Sequence, residues 1–373
     1  MEITIREVSN QSEFKKFIAF PGKLYKQNNY YVPPLISTEN KTLSPRHNSD
    51  FNHCDVKLWL ASINNEVVGR VAGIIDHRYI EKTGKKYVRF GWFDFIDQQE
   101  IASVLLKTVE NWAVEHGMTA IHGPYGLSQF DPSGILIEGF NELPTSFGKY
   151  NYPYYAPTIE SLGYHKETDW LEFRVTVPEK VPEKYFKIAE IVENRYNLSS
   201  VPIKSKKDLH QYAAELFTLL NKVYGELYSH FELTPQKIKE LQKEFIPMLN
   251  PEFVSMVVNA DGKMVGFGIC LPSLAKAIQK SKGRLFPFGF IRILYALKYN
   301  DTIDTLLIAI DSNYKEKGVN ALIFRDIGQS IINHKIKFVE TTRELEGNRD
   351  VQNLWNKFEY RQHKKARCYI KEL

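Results

Sequence analysis

Residues 56–75, VKLWLASINNEVVGRVAGII, and residues 253–271, FVSMVVNADGKMVGFGICL, read alike. Each is an apolar, β-branched run, a two-residue turn (Asn64-Asn65 or Asp261-Gly262) and a second apolar run, the pattern of a β-hairpin. The second runs carry matching pairs, Val68-Gly69 and Val265-Gly266, 197 positions apart. Further along, Gly163-Tyr164 and Glu359-Tyr360 each follow a short helical pattern and precede a strand, 196 positions apart. Two offsets this close, flanking the same order of features, indicate a tandem duplication.

Between these landmarks each half alternates strand and helix. Residues 88–96, VRFGWFDFI, are a strand, and Ile101, Val104, Leu105, Val109, Trp112 and Ala113 mark one face of the helix that follows, closed by Gly117. In the second half DTLLIAI (304–310) is a strand, GVNALIFRDIGQSII (318–332) a helix, IKFVETT (336–342) a strand and VQNLWNKF (351–358) a helix. Residues 177–185, VPEKVPEKY, change the composition to proline and charge, which divides the chain into residues 1–183 and 184–373. The expected class is α+β: two domains, each a mixed, mostly antiparallel sheet flanked by helices.

Composition narrows the function classes. The chain has 373 residues, 43% hydrophobic and 25% charged, enough for more than one core and unlike a disordered segment. Lys and Arg number 49 against 44 Asp and Glu, too even a balance for a dedicated nucleic-acid binder. No basic n-region with an apolar h-region opens the sequence, and no window reads as a membrane span, so a cytoplasmic protein is expected. The cysteines Cys54, Cys270 and Cys368 are too scattered for a metal knuckle or a disulfide framework, and no metal is expected. No phosphate-binding Walker loop, dinucleotide fingerprint, HExxH or GxSxG elbow is present.

The start of the helix at 318 suggests an anion. A helix N-terminus already carries partial positive charge and normally attracts Asp or Glu, yet Lys315 and Lys317 stand there beside Gly318. In the first half Asp97 and Glu100 form a capping-box pattern at the equivalent place, which would repel an anion. The first half is therefore expected to be a complete but cofactor-poor copy.

The layout, with NYKEKGVNAL (313–322) as its sharpest point, resembles the GCN5-related N-acetyltransferase (GNAT) fold twice over, across nearly the whole chain. The resemblance implies that acetyl-CoA or another acyl-CoA is the co-substrate and a small-molecule or peptide amine the acceptor. It implies that backbone groups near Ile308, Ala309 and Ile310 pair with the pantetheine arm, and that Lys315, Lys317, Gly318, Val319, Asn320 and Ala321 surround the pyrophosphate. Asn320 stands where the family has Gly or Ala. Asp311 and Glu340 are candidate bases by direct attack of the amine. Where many members have an acidic Tyr in the closing helix, this chain has Trp355, which either packs against the cofactor or belongs to the core; Tyr360 or Tyr369 is then the candidate acid. Two other readings stay open: a catalytically inactive CoA-binding sensor or scaffold, and an aminoacyl-tRNA-dependent transferase of the peptidoglycan-peptide type. The basic stretch Arg361, His363, Lys364, Lys365 and Arg367 would touch phosphate, either the cofactor's 3′-phosphate or that of RNA, or is a solvated strand edge.

Two segments complete the reading. Residues 123–157 form a long Gly-, Pro- and Tyr-rich loop able to line a substrate cleft, with Tyr150, Tyr152, Tyr154 and Tyr155 as flat apolar faces or as interdomain packing. Residues 283–299, GRLFPFGFIRILYALKY, are apolar on nearly every side. Burial against the other copy or over the acyl end of the cofactor is the expectation, with peripheral contact to a membrane as the alternative.

Overall fold

The computed structural model describes residues 2–225 and 232–373. The first half contains β1 (Thr4–Glu7), α1 (Gln11–Leu24), α2 (Ile36–Thr42), β2 (Cys54–Ile63), β3 (Glu66–Asp76), α3 (His77–Thr83), β4 (Tyr87–Phe95), α4 (Gln99–Glu115), β5 (Ala120–Gly123), β6 (Ile135–Glu138), α5 (Tyr155–Ser161) and β7 (His165–Thr176). The second contains α6 (Glu183–Tyr196), β8 (Ser199–Ser200), α7 (Lys206–Tyr224), α8 (Pro235–Phe245), β9 (Val254–Val258), β10 (Met264–Pro272), α9 (Ala275–Lys280) and α10 (Gly289–Lys298). It continues with β11 (Thr302–Ile310), α11 (Val319–Asn333), β12 (Phe338–Thr341), β13 (Glu344–Leu345), α12 (Arg349–Trp355) and β14 (Tyr360–Glu372).

The two hairpins, β2–β3 and β9–β10, form as their turns dictate. Asn64 and Asn65 both take positive φ, as does Gly262, which gives the backbone twist that antiparallel strands need. The repeated glycines follow from helix packing. A Cβ on Gly69 would lie 2.7 Å from Leu105 of α4, and one on Gly266 2.7 Å from Val319 of α11, so each glycine lets the next helix settle onto the hairpin.

All fourteen described strands join one sheet, in the order β1-β2-β3-β4-β5-β14-β7-β12-β11-β10-β9-β8, with β13 also on β7 and β6 on β14. Most pairs are antiparallel; β4 with β5 and β11 with β12 are parallel. The order shows an exchange. β14, from the second half, pairs with β5 of the first at Tyr369↔Gly123, and β7, from the first half, pairs with β12 of the second at Val339↔Val175. The two exchanged strands also run against each other, so the halves are joined at the middle of one sheet.

This placement corrects the reading of the basic stretch. β14 is a central strand, neither a solvated edge nor a phosphate surface, and its cations meet carboxylates of the first half. Lys364 Nζ lies 2.8 Å from Glu172 with both side chains almost fully buried, and Arg367 and Lys365 both reach Asp169. Arg361 reaches Glu142 on the loop after β6.

Two further expectations are corrected. α4 begins at Gln99 with Gln98 as N-cap and no side-chain cap, so the Asp97–Glu100 box does not form. The chain at Ile96 is still hydrogen-bonded to β3, through Val68 O at 3.0 Å, which delays the helix start. Residues 283–299 are buried on one side only: Ile293 and Ala296 turn inward, while Phe286, Phe288, Leu294 and Tyr295 are mostly exposed.

Candidate active site

β11 and β12 are paired only over Thr302–Thr305 and Phe338–Thr341. Beyond Thr305, β11 stays bonded to β10 through Ile310, while the chain after Thr341 swings across to β7, where Glu344 and Leu345 face Leu171 and Trp170. The sheet therefore opens, leaving residues 306–310 with no strand on one side. Tyr224, ending α7, reaches this edge, and its hydroxyl donates to Ile308 O at 2.9 Å.

Two cavities meet at the opening. One, of about 190 Å³, lies among α6, α11, α12 and the sheet, and includes Pro178, Tyr185, Ile308, Phe324, Glu344 and Trp355. The other, of about 270 Å³, lies on the opposite face, walled by Leu209, Ala213 and Leu216 of α7, Leu241 and Phe245 of α8, and Phe130 and Phe147 of the long first-half loop. Trp170, Tyr224, Leu306, Leu307, Thr342 and Arg343 line both. The walls of each are mainly apolar.

Glu344 is the acidic side chain in the lining of the first cavity. Its Oε1 accepts the Trp355 indole N–H at 2.9 Å, and its Oε2 is buried with no hydrogen-bond partner. Burial pushes this carboxyl up to about 7, against the hydrogen bonds from Trp355 and Thr341. A carboxylate with one oxygen fixed, the other open and a pKa near neutrality suits a general base.

Where the cofactor's anionic end would sit, Asp311 accepts from Asn313 N at 3.0 Å and caps a short 3₁₀ turn, Ser312–Lys317. Gly318 follows with φ 80°, and α11 starts there without a side-chain cap. A Cβ on Gly318 would lie 2.9 Å from Val192 of α6, so glycine is needed for the left-handed turn and for the close helix. Lys315 is ion-paired with Asp350 at the start of α12 (3.3 Å) in an exposed setting, and Lys317 lies over the Tyr314 and Tyr196 rings.

The first half uses the equivalent place differently. Beyond Arg89↔His122, where β4 and β5 stop pairing, Tyr125 N–H donates to Phe90 O at 2.9 Å and keeps the loop on the strand. At the end of β4, Phe95 N–H donates to the Tyr155 hydroxyl (3.1 Å) and Phe95 O accepts from Tyr154 (2.5 Å). Tyr154 and Tyr155 thus engage both backbone groups of Phe95 at the end of β4, whereas Tyr224 takes the Ile308 carbonyl on the edge of β11.

A tandem GNAT protein of the clavulanic acid biosynthesis pathway, solved without acetyl-CoA, superposes over 100% of this chain and 98% of its own, with a TM-score of 0.57 at 13% identity. The chain has the tandem GCN5-related N-acetyltransferase fold. No protein-family profile matches the chain. It is 27% identical over 382 residues to Protein YghO of Escherichia coli (strain K12), covering 99% of this chain and 95% of that protein. It is 28% identical over 301 residues to the Bacterial ceramide synthase of Caulobacter vibrioides (strain NA1000 / CB15N), covering 80% and 77%.

Within this tandem GNAT fold the sequence-derived residues separate into two groups. Ile308 and Trp355 line the first cavity; the turn carrying Lys315, Lys317 and Gly318 leads into α11, where Asn320 is half-buried and Val319 and Ala321 are core residues. Ala309 packs into the core on the α7 face, and Ile310 flanks the one beneath α11. The four acid and base candidates lie outside the cavity linings. Asp311 is ion-paired with Lys222 at 2.7 Å, which holds its carboxyl below the ordinary value despite burial. Glu340 is buried and ion-paired with Arg174. Tyr360 is exposed, its hydroxyl donating to Asn356 at 2.7 Å. Tyr369 is buried in the first half's core and bonded to Glu160 at 2.9 Å.

Glu344 and Tyr224 were missed by sequence reasoning. Glu344 sits three positions after a strand that already held a plausible acid, and only the sheet opening brings it to a cavity. The long loop does line the second cavity, through residues 129–133 and 145–148, but its tyrosines do not; Tyr150 and Tyr152 pack on Tyr25. The junction 177–185 also has a use, since Pro178, Val181, Pro182 and Tyr185 wall the first cavity. Among the described residues no group of three or more His, Cys, Asp or Glu side chains is placed to hold a metal, and no helix is long and apolar enough to cross a membrane.

Proposed function

We propose that the protein is an N-acyltransferase that moves an acyl group from acyl-CoA to the amine of an acceptor with a long apolar body, and that the second half carries the chemistry. The observation that carries this reading is Glu344, with an unpartnered oxygen and a pKa near neutrality, beside the opening where two apolar cavities meet. The free edge of β11 and the uncapped start of α11 fit the pantetheine and the pyrophosphate of CoA. Lys315 exchanges Asp350 for phosphate oxygens on binding.

The reaction is a direct displacement. Glu344 accepts a proton from the acceptor ammonium, and the amine nitrogen then attacks the thioester carbon as a backbone N–H on the free edge of β11 stabilises the developing oxyanion. The C–N bond forms, the C–S bond breaks, the attacking nitrogen sheds its second proton as the amide forms, and the departing thiolate takes one up; the Tyr224 hydroxyl at the cavity junction relays between them, giving its proton to sulfur and receiving the one from nitrogen. Burial pushes Tyr224 up to about 12, so it enters the step protonated.

The second cavity supports this acceptor class. Its walls are mainly Leu, Phe, Ala, Ile, Val and Met side chains, with Asp131, Gln129, Gln242 and Arg343 among them, a lining suited to an aliphatic chain that carries a polar head. The Caulobacter relative's name points the same way, because a ceramide is an N-acylated long-chain amino alcohol. The paired cations of β14 leave the aminoacyl-tRNA reading without its motivating feature.

The test is calorimetry of CoA and acyl-CoA binding, followed by thiol release with amines of increasing chain length. Micromolar binding by the wild type, weakened about tenfold or more in Lys315→Glu/Lys317→Glu, is expected, since each removes a cation and adds a charge facing phosphate. Gly318→Ala is a poor probe, because its Cβ would meet Val192 whether or not a ligand binds. Turnover that is indifferent to acceptor chain length would remove the long-chain assignment.

A further inference from the structure

The most exposed apolar surface of the molecule is the one carried by residues 283–299. In α10 the side chains of Ile293 and Ala296 turn inward and are buried, while Phe290, Ile291, Leu294 and Tyr295 face outward. Phe286 and Phe288 precede the helix, 76% and 65% exposed, and Phe286 touches the Phe290 ring at 5.7 Å between centroids. The first half extends the patch: Gln279 donates to Asn29 O and Tyr31 O, and Ile36 N to Gly283 O, which brings exposed Tyr30 and Ile36 to its border.

Charge along the segment has one sign. From Ser273 to Asn300 the sequence holds Lys276, Lys280, Lys282, Arg284, Arg292 and Lys298 and no Asp or Glu, and all six cations are exposed. Only Lys276 is ion-paired among them, with Asp301 beyond the segment. A helix apolar on its outer face, ringed by cations and bordered by tyrosines, is built for an interface between hydrocarbon and anionic headgroups.

We propose that this face docks the protein onto an anionic lipid bilayer, with α10 lying in the plane of the surface. A second copy of the chain is the poorer occupant, because a two-fold contact would set the same cations against each other with no acid between them. The position of the face matters for the site. Ile293 and Ala296 belong to the same apolar core as Leu209, Ala213 and Leu216, which wall the acceptor cavity, so the docked face and the cavity share one side of the sheet. The inference stands apart from acyl transfer, since binding is read without turnover.

Vesicle flotation tests it, using phosphatidylcholine alone and phosphatidylcholine with about one third phosphatidylglycerol, on the wild type and on Ile291→Glu/Leu294→Glu. Both substituted side chains are exposed, and superimposable unfolding curves confirm an intact fold. The wild type is expected to float with the anionic vesicles, to be released by high salt, and to partition about tenfold or more better than the variant. No flotation with anionic vesicles overturns the proposal, as does equal flotation of the variant. A wild-type dimer that the variant dissociates, with no vesicle binding by either, also overturns it and gives the face to a second copy.

Discussion

Glu344→Gln is expected to lower the acyl-transfer rate by roughly 10²–10⁴-fold, the usual contribution of a positioned base, while CoA affinity stays within a few-fold of the wild type. The amide keeps the size of the side chain and an oxygen for the Trp355 N–H, so the cavity keeps its shape. In the wild type the rate rises with pH through about 7 as the carboxyl loses its proton; in the variant that rise disappears. Stability moves the other way. A carboxyl raised from 4.5 to about 7 favours the folded state fully below pH 4.5 and loses that advantage as the pH rises through 7. Above pH 7 the buried charge costs about 3 kcal/mol, at 1.36 kcal/mol per pKa unit, so the variant unfolds at a higher denaturant concentration than the wild type at pH 8. Loss of turnover together with gain of stability marks a catalytic residue; loss of both would assign Glu344 to the scaffold.

The second large effect is on stability. Lys364→Ala leaves Glu172 buried with Arg343 as its remaining cation, 3.2 Å away, and is expected to cost roughly 3 kcal/mol, the lower end for breaking a buried pair. Burial alone would raise the Glu172 carboxyl, but Lys364 and Arg343 overcome it and hold it at about 2. A depressed pKa contributes stability above the ordinary value of 4.5 and loses it as pH falls toward 2, so the acid unfolding of the wild type is steeper than that of Lys364→Ala. Urea unfolding from pH 7 to pH 3 reads both effects. A double variant, Lys364→Met/Glu172→Gln, that recovers much of the loss would confirm that the uncompensated charge is what destabilises.

The fold was legible because its signals are local. Paired turn residues, the Val-Gly spacing and the 3.6-residue periods each need only neighbours within a dozen positions, and every one reports on an element that forms. Tandem repetition then doubled the signal. The candidate site was less legible, because its key features are set by strand order. Asp311 and Glu340 were reasonable as strand-end carboxylates, but Lys222 and Arg174, 89 and 166 positions away, neutralise them. Tyr369 reads as part of the second half and folds into the first. Glu344 differs from any surface glutamate only through the apolar walls around it. The apolar segment 283–299 misled for another reason: hydrophobicity predicts burial only where the partner surface belongs to the same chain.

The exchange of β7 and β14 has a temporal consequence. Cys368 of β14 lies against Pro124, beside β5, across 244 positions of sequence. At about 5–20 residues per second of synthesis, the gap beside β5 stays open for roughly ten to fifty seconds after β5 itself leaves the ribosome. During that interval the edge of β5, and once β7 is made both of its edges, await partners not yet synthesised, which makes the nascent chain, rather than the finished protein, the species most exposed to pairing with the wrong strand.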